Sequence, residues 1–133
     1  MQSRAFDDIA RYDASGSERL AELAAFLDEL PADRLTFTRW YGEGKGCAVG
    51  LAAAHNPWFQ AQGLRLEQNA AGQICWPVYG GLSDRAAVGK FFGLDQSQLK
   101  DLLDPVGYKG SLDPHPKSVA SKIRAFLAEK VLV

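Results

Sequence analysis

Cysteine and histidine are scarce in this chain, two of each in 133 residues. Cys47 and Cys75 lack Cys-x-x-Cys spacing, and no zinc-type cluster surrounds them. A disulfide framework is thereby excluded, and two histidines without ligand spacing give a metal little to bind. No metal and no cofactor are expected, and both thiols read as free in a reducing, cytoplasmic setting. Long apolar runs are missing as well. No stretch of ~18 apolar residues occurs, so a membrane-spanning helix and a membrane partner are not expected. Residues Met1–Asp8 hold no apolar signal core, so secretion by a classical signal is not expected either. Charge of one sign is the third absence. Fifteen basic against sixteen acidic side chains leave a net charge of −1, and no global field draws the chain toward nucleic acid or membrane. The balance shifts along the chain. Residues 1–44 carry five basic and nine acidic groups, residues 83–133 eight basic and six acidic. That asymmetry weakly favours an interaction surface on the C-terminal half.

What is present suffices for an ordinary core. Hydrophobic residues make up 47% of the chain, and its length fits one domain that needs no covalent or metal staple. Residues 1–14 show no periodicity and read as a loosely attached arm. Residues 15–133 read as a single globular α+β domain, mostly helical, with a small antiparallel β-hairpin or sheet.

Ser15-Gly16-Ser17-Glu18 offers a capping box. Leu20, Leu23, Ala24, Leu27 and Leu30 follow at helical spacing up to Pro31, which predicts an amphipathic helix over 16–30. Leu35-Thr36-Phe37-Thr38-Arg39-Trp40-Tyr41 alternates and predicts a strand or extended segment. Residues 46–55 are nearly all small or apolar and predict a buried helix stopped by Asn56-Pro57. Gly46, Gly50 and Ala54 lie four apart, a ridge on which another element can sit closely. Leu64–Gln68 and Ile74–Tyr79 flank the turn Asn69-Ala70-Ala71-Gly72 as a hairpin, with Pro77 marking an edge or an early strand end. Ser83 opens a helix to Phe92 with Gly93 as its stop. Asp95–Gln98 caps another helix through Leu103, and Asp113-Pro114-His115-Pro116 starts a last one with Val119, Ala120, Ile123, Phe126 and Leu127 on its apolar stripe.

Three patterns could carry function. A cysteine at a helix start can hold a thiolate, because the helix dipole favours negative charge. Cys47, next to Lys45 and with His115 near Asp113 as base, is therefore a candidate nucleophile. His55 is a poor base for it, eight residues along the same helix and about 12 Å away. Cysteine is also among the most buried residue types, and a packed core thiol is the preferred reading. The turn Gly42-Glu43-Gly44-Lys45-Gly46 could wrap an anion through Gly44, Lys45 and Gly46. It has neither Walker nor Gly-x-Gly-x-x-Gly spacing, and a tight connection into a buried helix is preferred. Residues 85–103 place Val88, Phe92, Leu94, Leu99 and Leu102 at the apolar positions of a helix-turn-helix, with Gly89 at the packing position and Gly93 in the turn. Its second helix would present Gln96, Ser97, Gln98 and Lys100 to DNA, with Lys122 as a neighbouring cation. Asp95, Asp101 and Asp104 oppose that by crowding the face with negative charge.

Trp40, Gly46-Cys47-Ala48-Val49-Gly50-Leu51-Ala52, Gly63-Leu64-Arg65-Leu66, Ala87, Phe91-Phe92-Gly93-Leu94, Leu103-Asp104-Pro105, Tyr108 and Val119-Ala120-Ser121-Lys122-Ile123 together carry a resemblance. The chain resembles a group of small uncharacterised bacterial and phage-associated proteins over residues 37–128. Members often show a second cysteine in the small helix. Here Val49, Gly50 and Leu51 leave none, which argues against a paired-thiol or metal role. The resemblance implies a shared fold and no activity. The expectation is a cytoplasmic, non-enzymatic binding protein with a protein partner. A DNA-binding accessory factor built on 85–103 is the alternative, and a cysteine-dependent hydrolase using Cys47 is third.

Overall fold

In the computed structural model, residues 14–72 and 74–132 are described. The arm expected over 1–14 lies outside them except for Ala14, which is buried and donates its N–H to Gln62 Oε1 at 2.8 Å.

The capping box at Ser15 and Glu18 forms in both directions and opens α1, Gly16–Asp28. A short 3-10 turn, Ala32–Arg34, follows. The expected strand over 35–41 does not form a ladder. Leu35 makes a single bridge to Gly46, Thr36 and Thr38 bond each other through their hydroxyls at 2.9 Å, and regular pairing is confined to a tiny hairpin of β1, Tyr41–Gly42, and β2, Lys45–Gly46. Leu35 and Thr36 are buried, the chain turns at Phe37-Thr38, and neighbouring aromatics pack on the core.

Helix α2, Ala48–His55, is shorter than expected at its start, since Gly46 belongs to β2 and Cys47 is the N-cap. Residues 48–53 are all buried, as a helix without a polar face requires. The two glycines still act together. A Cβ on either Gly46 or Gly50 would overlap the Trp40 carbonyl oxygen, so backbone lies directly on backbone here. Asn56 does more than stop α2. Its side chain accepts from the N–H groups of Trp58 and Phe59 and, with Pro57 at the first helical position, opens α3, Pro57–Ala61.

A three-stranded antiparallel sheet follows in the order β3, Arg65–Gln68, β4, Cys75–Tyr79, and β5, Leu82–Ser83. The hairpin was expected and β5 was not. Pro77 therefore sits in the middle strand, opposite Leu66. It has no N–H, so that pair must be a non-hydrogen-bonded one, and the missing donor points away from β3. Ladder bonds to β5 begin only beyond it, at Val78 and Tyr79.

Helix α4, Asp84–Phe92, ends at Gly93 in the left-handed conformation, φ 68°. Ser83 stands at its N-cap but makes no side-chain cap bond. Helix α5, Gln96–Leu103, has the second full capping box, from Asp95 and Gln98. A 3-10 turn, Pro105–Tyr108, leads toward α6, Pro116–Leu132.

One hydrophobic cluster runs through all of this. Leu20, Leu23 and Leu27 of α1 meet Val119 and Ile123 of α6, and Phe59, Phe91 and Phe92 fill the other side. Helix α1 lies along α6 and also touches α4 and α2, α4 covers β4, and α2 is central, against α1, α3 and both sheets. The fold is mostly helical α+β, with six α-helices and two small antiparallel sheets among the described residues. No helix among those residues is long and apolar enough to cross a membrane.

Candidate functional site

A cavity of about 250 Å³ opens between the start of α2, the turn and bend of residues 37–40, α4 and the end of α5. Phe37, Trp40, Val88, Leu99 and Leu103 supply apolar wall. Cys47, Ala48 and Val49 bring the N-terminal end of α2 to it, and Thr38, Arg39, Arg85 and Asp104 are its polar residues.

Cys47 is buried, and its sulfur accepts from the Gly50 N–H at 3.4 Å. Burial pushes the thiol from an ordinary 9.0 up to about 11, outweighing the backbone N–H groups of Gly50 and Val49, which pull the other way. The dipole argument for a thiolate thus loses to desolvation. Neither His115 nor Asp113 lines the cavity. His115 is exposed at the start of α6, with its Nδ1 accepting from the Lys117 N–H at 3.1 Å and its carbonyl from Ser118 and Val119. His55 bonds the Tyr41 hydroxyl at 3.0 Å through Nε2. The structure therefore assembles no nucleophile–base pair from these residues.

The glycine turn is a tight hairpin. Gly42 and Lys45, then Tyr41 and Gly46, are hairpin partners, and the Gly46 carbonyl accepts from Thr36. Gly44 takes the left-handed backbone, φ 79°, that the hairpin turn demands. Lys45 is exposed.

Residues 85–103 do take a helix–turn–helix shape, with Val88, Phe92, Leu94, Leu99 and Leu102 buried. Gly89 is a packing position, since a Cβ there would press on the Leu94 carbonyl and the Leu99 side chain. Its reading face is largely spoken for. Gln96 accepts from Arg85 Nε at 3.1 Å, Gln98 is used in the capping box, and Lys122 is held by Asp101 at 3.0 Å and by the Gly107 carbonyl. Only Ser97 and Lys100, of the residues put forward for DNA, are exposed without such a tie.

Arg85 was no more than the first residue of that pattern, yet it is the most informative side chain here. Its Nη1 lies 2.9 Å from both Asp104 carboxylate oxygens, its Nε reaches Gln96, and its Nη2 is buried with no hydrogen-bond partner. No sequence signal pairs positions 85 and 104. Only the turn between α4 and α5 brings them together. Among the described residues no group of three or more His, Cys, Asp or Glu is placed to hold a metal ion. No family model, curated protein or solved structure matches this chain.

Proposed function

We propose that this chain is a non-enzymatic binding protein whose partner is another protein, held by an anchor group that enters the cavity between α2, α4 and α5. The observation that carries this reading is the cavity itself: about 250 Å³ is room for one large side chain, walled mostly by apolar groups with a few fixed polar ones. Anchors seated in such pockets supply most of the energy of many interfaces. A thiol held protonated in the wall supports binding over covalent chemistry. Two unpaired cysteines fit a reducing cytoplasm.

Thr38 is exposed and lines the cavity, so Thr38→Trp should plug its mouth, with loss of the hydroxyl bond to Thr36. Immobilised wild-type chain is expected to capture a nuclease-resistant partner that Thr38→Trp, still folded by its amide NMR spectrum, does not. Equal capture by both would overturn the reading. Capture abolished by nuclease would favour the DNA-binding alternative, which rests on the shape of α4 and α5 and on exposed Ser97 and Lys100.

A further inference from the structure

We propose that the cavity is built for a carboxylate carried on an apolar group, and that this is the anchor of the binding reading above, on which the inference rests. A guanidinium offers five N–H donors in a fixed fork, and buried donors in folded proteins almost always find partners. Arg85 uses Nε on Gln96 and Nη1 on Asp104, and leaves Nη2 buried and unbonded. An unmet cationic donor on a residue lining a cavity is a standing demand for an acceptor. A second observation points the same way. Ala48 and Val49, which line the same space, are the first two residues of the eight-residue helix α2. Val49 and Gly50 turn their N–H groups to the Cys47 sulfur, but the dipole at this end of the helix still favours an anion.

The charge on the lining sets the ligand's charge. Arg85 and Arg39 line the cavity with one carboxylate, Asp104, which pairs with Arg85, an excess of one positive charge. Glu43 does reach Arg39 at 3.3 Å, but it does so from solvent with 89% of its side chain exposed, and exposed pairs screen weakly. A monoanion balances that lining, whereas a phosphate dianion would overcharge it against Asp104. The walls set the rest. Phe37 and Leu103 have nothing to offer an ion, Trp40 has only its indole N–H, and all three suit a ring or branched chain. A purely apolar group would leave Nη2 unmet, and a bare anion would leave the walls wet.

The test is titration of the folded full chain with 3-phenylpropionate, 3-phenylpropionamide and inorganic phosphate, read by amide and guanidinium NMR shifts. Saturable shifts at Ala48, Val49 and Arg85 Nε are expected with the acid. The amide should bind at least about tenfold more weakly, the worth of a charge-assisted bond, and phosphate should give no saturable shift. Arg85→Lys keeps a charge for Asp104 but removes the extra donor, and should weaken the acid about tenfold while leaving the amide unchanged. If that variant does not fold, Arg39→Gln, at an exposed position, should weaken the acid selectively in its place. Acid and amide binding alike, neither binding, or shifts confined to another face would overturn the proposal. Loss of the acid arm with Thr38→Trp-sensitive partner capture intact would remove the carboxylate and spare the protein partner. Acid binding with no such capture would do the reverse.

Discussion

The guanidinium of Arg19 lies over the ring of Phe91, 4.2 Å from its centroid, and donates from Nη1 to the carbonyl oxygen of the same residue at 2.9 Å. Arg19 is 4% exposed, so the contact is made without water. Further bonds reach Gln62 at the end of α3 and the Tyr79 hydroxyl on β4. One planar cation thus joins α1, α3, β4 and α4. A lysine has no fork to divide among these acceptors. Arg19→Lys is expected to lower unfolding free energy by about 1–3 kcal/mol, and Arg19→Met by more, because both leave buried acceptors unmet. Urea unfolding of the two variants beside wild type checks this, and an unchanged midpoint for Arg19→Lys would contradict it.

Backbone contact at Gly50 and Gly107 leads to a second expectation. A Cβ at Gly50 would overlap the Trp40 carbonyl, and one at Gly107 would overlap the Asp101 carbonyl close to Lys122 Nζ. Neither obstacle is a side chain that can swing away. Gly50→Ala and Gly107→Ala should each destabilise by about 1–3 kcal/mol or more, seen as a drop in melting temperature, whereas Gly81→Ala meets nothing within 4 Å and loses only what its positive φ of 81° costs.

Cys47 gives a pH dependence with a definite sign. The folded pKa, about 11, lies above the ordinary 9.0, so the unfolded chain releases its proton first. Stability is intact below pH 9 and falls as pH rises from 9 toward 11, by on the order of 2 kcal/mol. Burial raises the Tyr108 hydroxyl too, and adds to the slope at higher pH. Cys47→Ser removes only the thiol's share, so the difference between the two stability–pH curves isolates it. Ellman's reagent should label Cys47 slowly in the native chain and fast in denaturant. Rapid native labelling would revive the nucleophile.

Asp28 and Arg124 tie the end of α1 to α6 through two contacts, 2.5 and 3.2 Å. The hydrogen bond from Arg124 is the main reason the Asp28 carboxyl is held below its ordinary range, with Lys117 adding to it. Its contribution is present above the unfolded carboxylate pKa and fades as pH falls through the lower folded value. In an NMR titration, Asp28 should return toward the ordinary carboxylate range in Arg124→Gln. No change on that substitution would sever the link.

Local signals told the truth wherever the residues that write them also bear the consequence. Ser15 with Glu18 and Asp95 with Gln98 form the boxes their spacing announces, and Gly93 takes the left-handed turn. The segment 35–41 misled because its alternation of residue type is not an alternation of burial: the neighbours Leu35 and Thr36 are buried together and the chain turns at Phe37-Thr38. Strand β5 has a local signal too. Gly80-Gly81, with φ 58° and 81°, is a two-residue hairpin turn between Tyr79 and Leu82. Asn56-Pro57 likewise marks a beginning as well as an end. The cavity was beyond such reading. Arg85 and Asp104 stand nineteen positions apart, and nothing local encodes that one will neutralise the other while a third nitrogen goes unmet.

The proline in β4 also bears on what happens when many copies meet. Pro77 turns its missing donor to the side of β4 that carries β5, where it is itself buried. A foreign strand arriving there would find no N–H to bond at that position. The burial of Pro77 is the first obstacle to sheet growth on that side and its missing donor the second, and Pro77→Val should remove the second, raising the rate at which partly unfolded chains form thioflavin-positive fibres.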